Sequence, residues 1–131
     1  MKLRFIIISD NAFADETGRL TIIQAFDNIS ASGFPAIHPR ISIVTRWDLN
    51  SEEEKMMTHK QTIAIYEKST GNEIAKTPER TLKANPGHDS SIQFINNIIG
   101  IKFDRAGVYQ VKVQMDDEIE DVNLEVKQAP N

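Results

Sequence analysis

The chain has 131 residues, a net charge of −4 and a pI near 5.3, which fits one domain over residues 1–131 that buries a core unaided by disulfide or metal. It contains no cysteine, which excludes thiolate catalysis, disulfides and cysteine-based zinc sites and points to a reducing, cytoplasmic setting. Its acidic balance argues against nucleic acid and anionic membranes as partners, and no apolar run approaches the roughly 18 residues of a spanning helix.

Lys2 and Arg4, then Phe5 to Ile8, then Ala12-Phe13-Ala14 imitate a secretory signal. Asp10 and Asn11 interrupt the apolar core well short of the about 7–15 residues such a signal needs. The segment Leu3 to Ser9 instead predicts a first strand, and its unbroken apolar run predicts burial on both faces. Without secretion, Asn28-Ile29-Ser30 carries no meaning as a glycosylation sequon. Gly18 turns the chain into a second strand over Leu20 to Phe26, and the two prolines between Phe34 and Pro39 predict an ordered crossover. From Arg40 to Leu49 the chain alternates with period two: Ile41, Ile43, Thr45, Trp47 and Leu49 share one face. Ser51-Glu52-Glu53-Glu54 fits a capping box and starts a short helical turn.

Thr58 to Glu67 predicts another strand with Ile63 and Ile65 inward, ended by the hairpin tip Ser69-Thr70-Gly71-Asn72. Arg80 to Ala84 and Ser91 to Ile95 follow, separated by the Asn85-Pro86-Gly87 turn. Tyr109, Val111, Val113 and Met115 alternate, and after Asp116-Asp117-Glu118 so do Val122, Leu124 and Val126. No segment keeps a helical period over 12 residues. The expected fold is an all-β, two-sheet immunoglobulin-like sandwich of about seven to nine antiparallel strands.

The most specific local pattern is Phe103-x3-Gly107-x-Tyr109 at the head of an alternating strand. It resembles the tyrosine corner of immunoglobulin-like sandwiches, where the hydroxyl bonds back to upstream backbone. By that resemblance Trp47 stands for the buried tryptophan, Val111 for the second cysteine, and Ile22 or Ile23 for the first. The whole chain is also similar to a small uncharacterised bacterial family, a domain of unknown function built as a β-sandwich. The residues behind this are Asp10-Asn11, Asp15, Gly18, Leu20, Ile22, Phe26-Asp27, Ile29, Phe34-Pro35, His38-Pro39, Ile43-Val44-Thr45 and Asn96-Asn97-Ile98. The resemblance implies a fold and no activity.

His38, His59 and His88 match no metal motif by spacing and read as loop or surface residues. Asp116, Asp117, Glu118, Glu120 and Asp121 form one acidic cluster, and Asp10, Asp15, Glu16 and Asp27 another. Either is a candidate for calcium, which takes oxygen ligands from loops. Asn96-Asn97 inside an apolar run reads as a turn or bulge, with a polar recognition spot as the alternative. Met56 and Met57 form a sticky loop or cap the core. Nucleophile-elbow, Walker, dinucleotide-binding and zinc-protease motifs are all missing. The sequence therefore assigns no catalytic residue, no cofactor and no defined metal ligand.

The expected function is a non-catalytic binding or assembly module that contacts a protein partner or self-associates as a homo-oligomer. Self-association through the first or last strand as a sheet edge is the simplest form. The alternative is a calcium- or small-ligand-binding domain using the loops Asp10–Gly18 and Asp27–His38. A second alternative, an unrecognised hydrolase, requires a histidine within reach of a serine or carboxylate in a cleft.

Overall fold

The computed structural model describes residues 1–84 and 90–130. Its strands are β1 (Lys2–Ala14), β2 (Leu20–Ala25), β3 (Asn28–Ala31), β4 (Ala36–Asp48), β5 (Thr58–Glu67), β6 (Glu73–Lys76), β7 (Arg80–Lys83), β8 (Ser91–Phe103), β9 (Gly107–Met115) and β10 (Glu118–Gln128). A single short helix among the described residues, α1 (Glu52–Met56), joins β4 to β5. One sheet has the order β2-β1-β4-β8, and the other the order β3-β10-β9-β5-β6 with β7 also on β5. Among the described residues no helix is long and apolar enough to cross a membrane.

The two sheets close on the alternating rows. Ile41, Ile43 and Trp47 of β4, Ile63 and Ile65 of β5, Phe94 and Phe103 of β8, and Tyr109, Val111 and Val113 of β9 are all fully buried. Each large side chain removed from water in this way contributes about 1.5–3 kcal/mol. Polar groups inside the layer are partly paired: Gln61 Nε2 has no hydrogen-bond partner among the described residues, whereas its Oε1 has two. Trp47 Nε1 and Thr45 Oγ1 both donate to Gln61 Oε1, at 3.0 and 2.9 Å. Tyr109 packs edge-on against Phe103, with ring centroids 4.9 Å apart. Its hydroxyl donates to Arg105 O at 2.8 Å, the bond expected of the corner. Burial, and then the Glu67 carboxylate, push the Tyr109 phenol above its ordinary pKa.

β1 changes partner half-way along. It pairs with β4 from Lys2 to Ser9 and with β2 from Ser9 to Ala14. Pro39 lies three residues beyond the last β4 partner, Ser42, and has no N–H to carry the ladder on. The β1–β2 hairpin then turns back. Its tip is knitted by Asp15 Oδ1, which accepts from Thr17 N, Thr17 Oγ1 and Arg19 N. The Thr17 hydroxyl, followed by the Arg19 N–H, holds the Asp15 carboxyl below its ordinary pKa. Gly18 O at this tip accepts from Gln93 Nε2 of β8 at 3.3 Å. Gln93 is level with Arg46 on β4, and Arg46 with Phe5 on β1. A straight β1 would carry the tip tens of ångströms past that level at about 3.3 Å per residue. The hairpin therefore lies back across the outer face of its own sheet. This explains why Ser42 and Val44, on the outward row of β4, are fully buried, and why Phe5 and Ile7 are half-buried outside the main core.

Several sequence expectations are corrected. There are ten strands among the described residues, and β3 runs parallel to β10. The strands expected at the sheet edges are interior: β2 flanks β1, and β3 flanks the end of β10. The crossover 36–39 belongs to β4, and Asn96-Asn97 lies within a continuous β8. The backbone break in β8 comes instead at Gly100, with φ +66°. Asn96 is buried with its amide toward Ile43 O, whereas Asn97 is exposed and accepts from Ser42 Oγ. Ile22 is half-buried and Ile23 exposed, so neither faces Val111 as a first-cysteine counterpart, because β2 sits on the folded-back hairpin. Met56 and Met57 are exposed. The Asn85-Pro86-Gly87 turn lies outside the described residues.

The fold-back has a measurable consequence. Val44→Ala is expected to cost about 2 kcal/mol, through lost methyl burial and the cavity left behind. Urea unfolding reads this, and a loss below about 0.5 kcal/mol, typical of an open surface, would mean that this face is uncovered.

Candidate functional site

Where β1 leaves β4, the edge of β4 from Ala36 to Ile41 has no strand beside it among the described residues. The chain crosses from one sheet to the other at Phe26–Asp27, and β3 forms the opposite wall. The seam between them is an open cleft in two lobes. One lobe, about 340 Å³, is lined by Asp10, Gln24, Ala25, Phe26, Asn28, Ile29, Ser30 and His38. The other, about 400 Å³, runs along Ser30 to Gly33, Pro35 to His38 and Phe103. Each falls at the small end of ligand-site volumes. The Phe34–Pro35 peptide on this wall is cis.

His38 stands where the lobes meet. Its Nε2 lies 3.5 Å from Asp10 Oδ1, and its ring centroid is 5.7 Å from that of Phe26. Asp10, Pro39 and Arg40 continue the surface past it. Gln24 enters the cleft wall with φ +52°, a left-handed conformation that a non-glycine residue adopts at a cost. Carboxylate, imidazole, two amides and a hydroxyl thus converge beside one aromatic ring. These groups can offer a bound molecule hydrogen bonds and ring contact. Among the described residues no hydroxyl is hydrogen-bonded to His38.

Outside the cleft, the outer face of the β4–β8 end is apolar and basic. The pairings Ile37↔Lys102 and Arg40↔Ile99 set these four side chains side by side. Ile37 is 68% exposed and Ile99 71%. At the opposite end of the sandwich the β9–β10 turn and the start of β10 carry Asp116, Asp117, Glu118, Glu120 and Asp121, together with Ile119, which is 60% exposed.

The structure places the remaining sequence candidates as follows. Asp10 and His38 meet, whereas Asp15 ties its own turn and Glu16 and Asp27 stay on the surface. Among the described residues no three His, Asp or Glu side chains gather as metal ligands. His88 lies outside the described residues. His59 is not a surface residue: it is 1% exposed, with Nδ1 2.6 Å from Asp116 Oδ2 and Nε2 2.6 Å from Glu54 O. Its parity with Gln61, Ile63 and Ile65 is the signal that would have put it inward. Asp116 sits at φ +52° and also accepts from Lys60 N, which ties the turn to β5. Ser51 caps α1 as expected, accepting from Glu54 N at 3.1 Å. Glu54 itself reaches the N-terminal ammonium of Met1 at 2.8 Å.

Fold and cleft together define an all-β, two-sheet sandwich with an open cleft at its side. The model of a family of unknown function, DUF6941, matches residues 4–127, and the chain belongs to that family. This agrees with the resemblance to an uncharacterised domain. No curated protein matches the chain at a significant level.

Two substitutions test this description. Asp116→Ala is expected to lower stability by about 2 kcal/mol, since it leaves buried His59 and Lys60 N each short of an acceptor. Chemical denaturation at neutral pH reads the loss. Gln24→Gly is expected to leave stability unchanged or raise it by up to about 1 kcal/mol, while Gln24→Val lowers it by at least as much. A destabilised glycine variant on thermal melting would show that the backbone there is unstrained.

Proposed function

We propose that the protein is a non-catalytic binding and assembly module, and that its recognition end is the β4–β8 end of the sandwich. The observation that carries this is the pair Ile37 and Ile99, both more than two-thirds exposed on one face beside an unpaired strand edge. Exposed apolar side chains clustered next to basic ones mark contact surfaces rather than random surface composition. Pro39 within β4, and Pro35 just before it, remove two N–H donors from this stretch of backbone. They make continuous strand addition there a poor mode and favour contact through side chains. The small patch suits a weak, reversible contact. A cytoplasmic location belongs to the same proposal, on the strength of a chain without cysteine.

A second reading is a small polar ligand in the His38 cleft, favoured by the convergence of Asp10, Gln24, Asn28 and Ser30 beside the Phe26 ring. A hydrolase reading finds its histidine–carboxylate pair in His38 and Asp10, but among the described residues no hydroxyl nucleophile is hydrogen-bonded to His38.

Sedimentation velocity over about 1 µM to about 1 mM is expected to show average mass rising with concentration for the native chain. The double variant Ile37→Asp/Ile99→Asp is expected to stay monomeric. A native chain that is monomeric throughout removes self-association and leaves the cleft as the place where the domain binds.

A further inference from the structure

Resting on the assembly reading above, we propose that self-association is head-to-tail: the acidic β9–β10 hairpin of one copy seats on the Ile37/Ile99 surface of the next.

The two surfaces lie at opposite ends of the sandwich. α1 joins the Asp48 end of β4 to the Thr58 end of β5, and β5 is paired at Gln61 with Met115, beside the β9–β10 turn. The short link from Phe103 to Gly107 puts the far end of β8 with the start of β9. The hairpin tip and the Ile37/Ile99 surface are therefore separated by the length of the strands. They also face opposite ways. Ile119 and Asp121 share the outward row of one sheet, with Gln114 and Lys112 as cross-strand partners. Ile37, Arg40, Ile99 and Lys102 share the outward row of the other.

Their chemistry is complementary. Each surface has an apolar centre, Ile119 on one and Ile37 with Ile99 on the other. The first has Asp121 in the row of Ile119, and Asp116, Asp117, Glu118 and Glu120 along the same turn and strand, with Lys76 and Lys112 on its β5 side. Among the described residues, Asp116 alone of the five between Asp116 and Asp121 has a basic side chain within 4 Å, the His59 imidazole at 2.6 Å. Lys112, opposite Asp121, is drawn over the Tyr66 ring at 5.0 Å. The second surface carries the Arg40 guanidinium, which makes no ion pair among the described residues, and the Lys102 ammonium, held only loosely by Asp104 at 3.7 Å. Like copies of either surface would repel one another, so a two-fold contact of either with itself is disfavoured. Unlike surfaces attract, and a contact between different patches at opposite ends does not close on itself at two copies. β10 adds a geometric reason. β3 covers it only over Glu125–Gln128, so the hairpin from Glu118 to Leu124 projects with one edge uncovered.

The test is a capping experiment. Ile99→Asp spoils one end and Ile119→Asp the other; both residues are well exposed, and circular dichroism confirms folding. Each variant alone is expected to be monomeric by sedimentation velocity where the native chain associates. Mixed one to one, they are expected to form a dimer and nothing larger, because each supplies the intact end the other lacks. Native association is expected to weaken about tenfold or more between low and 1 M salt. If the native chain associates but Ile119→Asp associates equally well, or the mixture stays monomeric, the head-to-tail contact is wrong while assembly through the β4–β8 end survives. A native chain that never associates overturns both.

Discussion

The organisation of this domain follows from one event on one strand. At Ser9, β1 gives up β4 and takes up β2. The Ser9 hydroxyl sits at the fork, buried, 3.1 Å from Ser42 O and 3.2 Å from Asn11 O, so its single proton spans both branches. Everything distal depends on this. The freed half of β1 carries its hairpin back over the sheet and seals Val44 beneath it. The abandoned half of β4 is left with one bare edge, and that edge becomes a wall of the cleft. A β1 that stayed on β4 would have filled the seam and left the outward row of the sheet in water.

The two ends of the sandwich are built on different principles. At the α1 end, polar groups are drawn inside and tied together: His59 bridges Asp116 and Glu54 O, Glu54 holds the chain's own ammonium, and Gln61 serves Trp47 and Thr45. Buried polar groups are costly when single and stiffening when paired, so this end is a rigid anchor for the hairpin that projects from it. At the other end the side chains point outward. The β4–β8 ribbon extends past its neighbours with Ile37 and Ile99 exposed. An acidic tip at one end and an open apolar and basic face at the other are the two features on which the proposed contact function rests.

Much of the β architecture was legible in the sequence, because side-chain alternation is a local property that survives folding. The inward row Ile41, Ile43, Thr45 and Trp47, the tyrosine corner and the Ser51 cap all stand where residue pattern put them. His59 was misread because its type suggested a surface and its parity was overlooked. Asn96 and Asn97 suggested a turn, yet one amide turns inward to a backbone carbonyl and the other outward to Ser42 within an unbroken strand. β3 and β6, at four residues each, are too short for any periodicity to register.

By itself the sequence determined that this is a β protein, which apolar residues of its long alternating strands face the interior and where several of its turns fall, since each of those depends on a few consecutive residues. Which strands lie at the edges, that β3 runs parallel to β10, and that Asp10, Phe26 and His38 meet were decided only by the tertiary structure. These are relations between segments tens of residues apart, set by where β1 changes partner. No local pattern records that choice, because Ser9 and Ser42 are unremarkable until the fold brings them within a hydrogen bond.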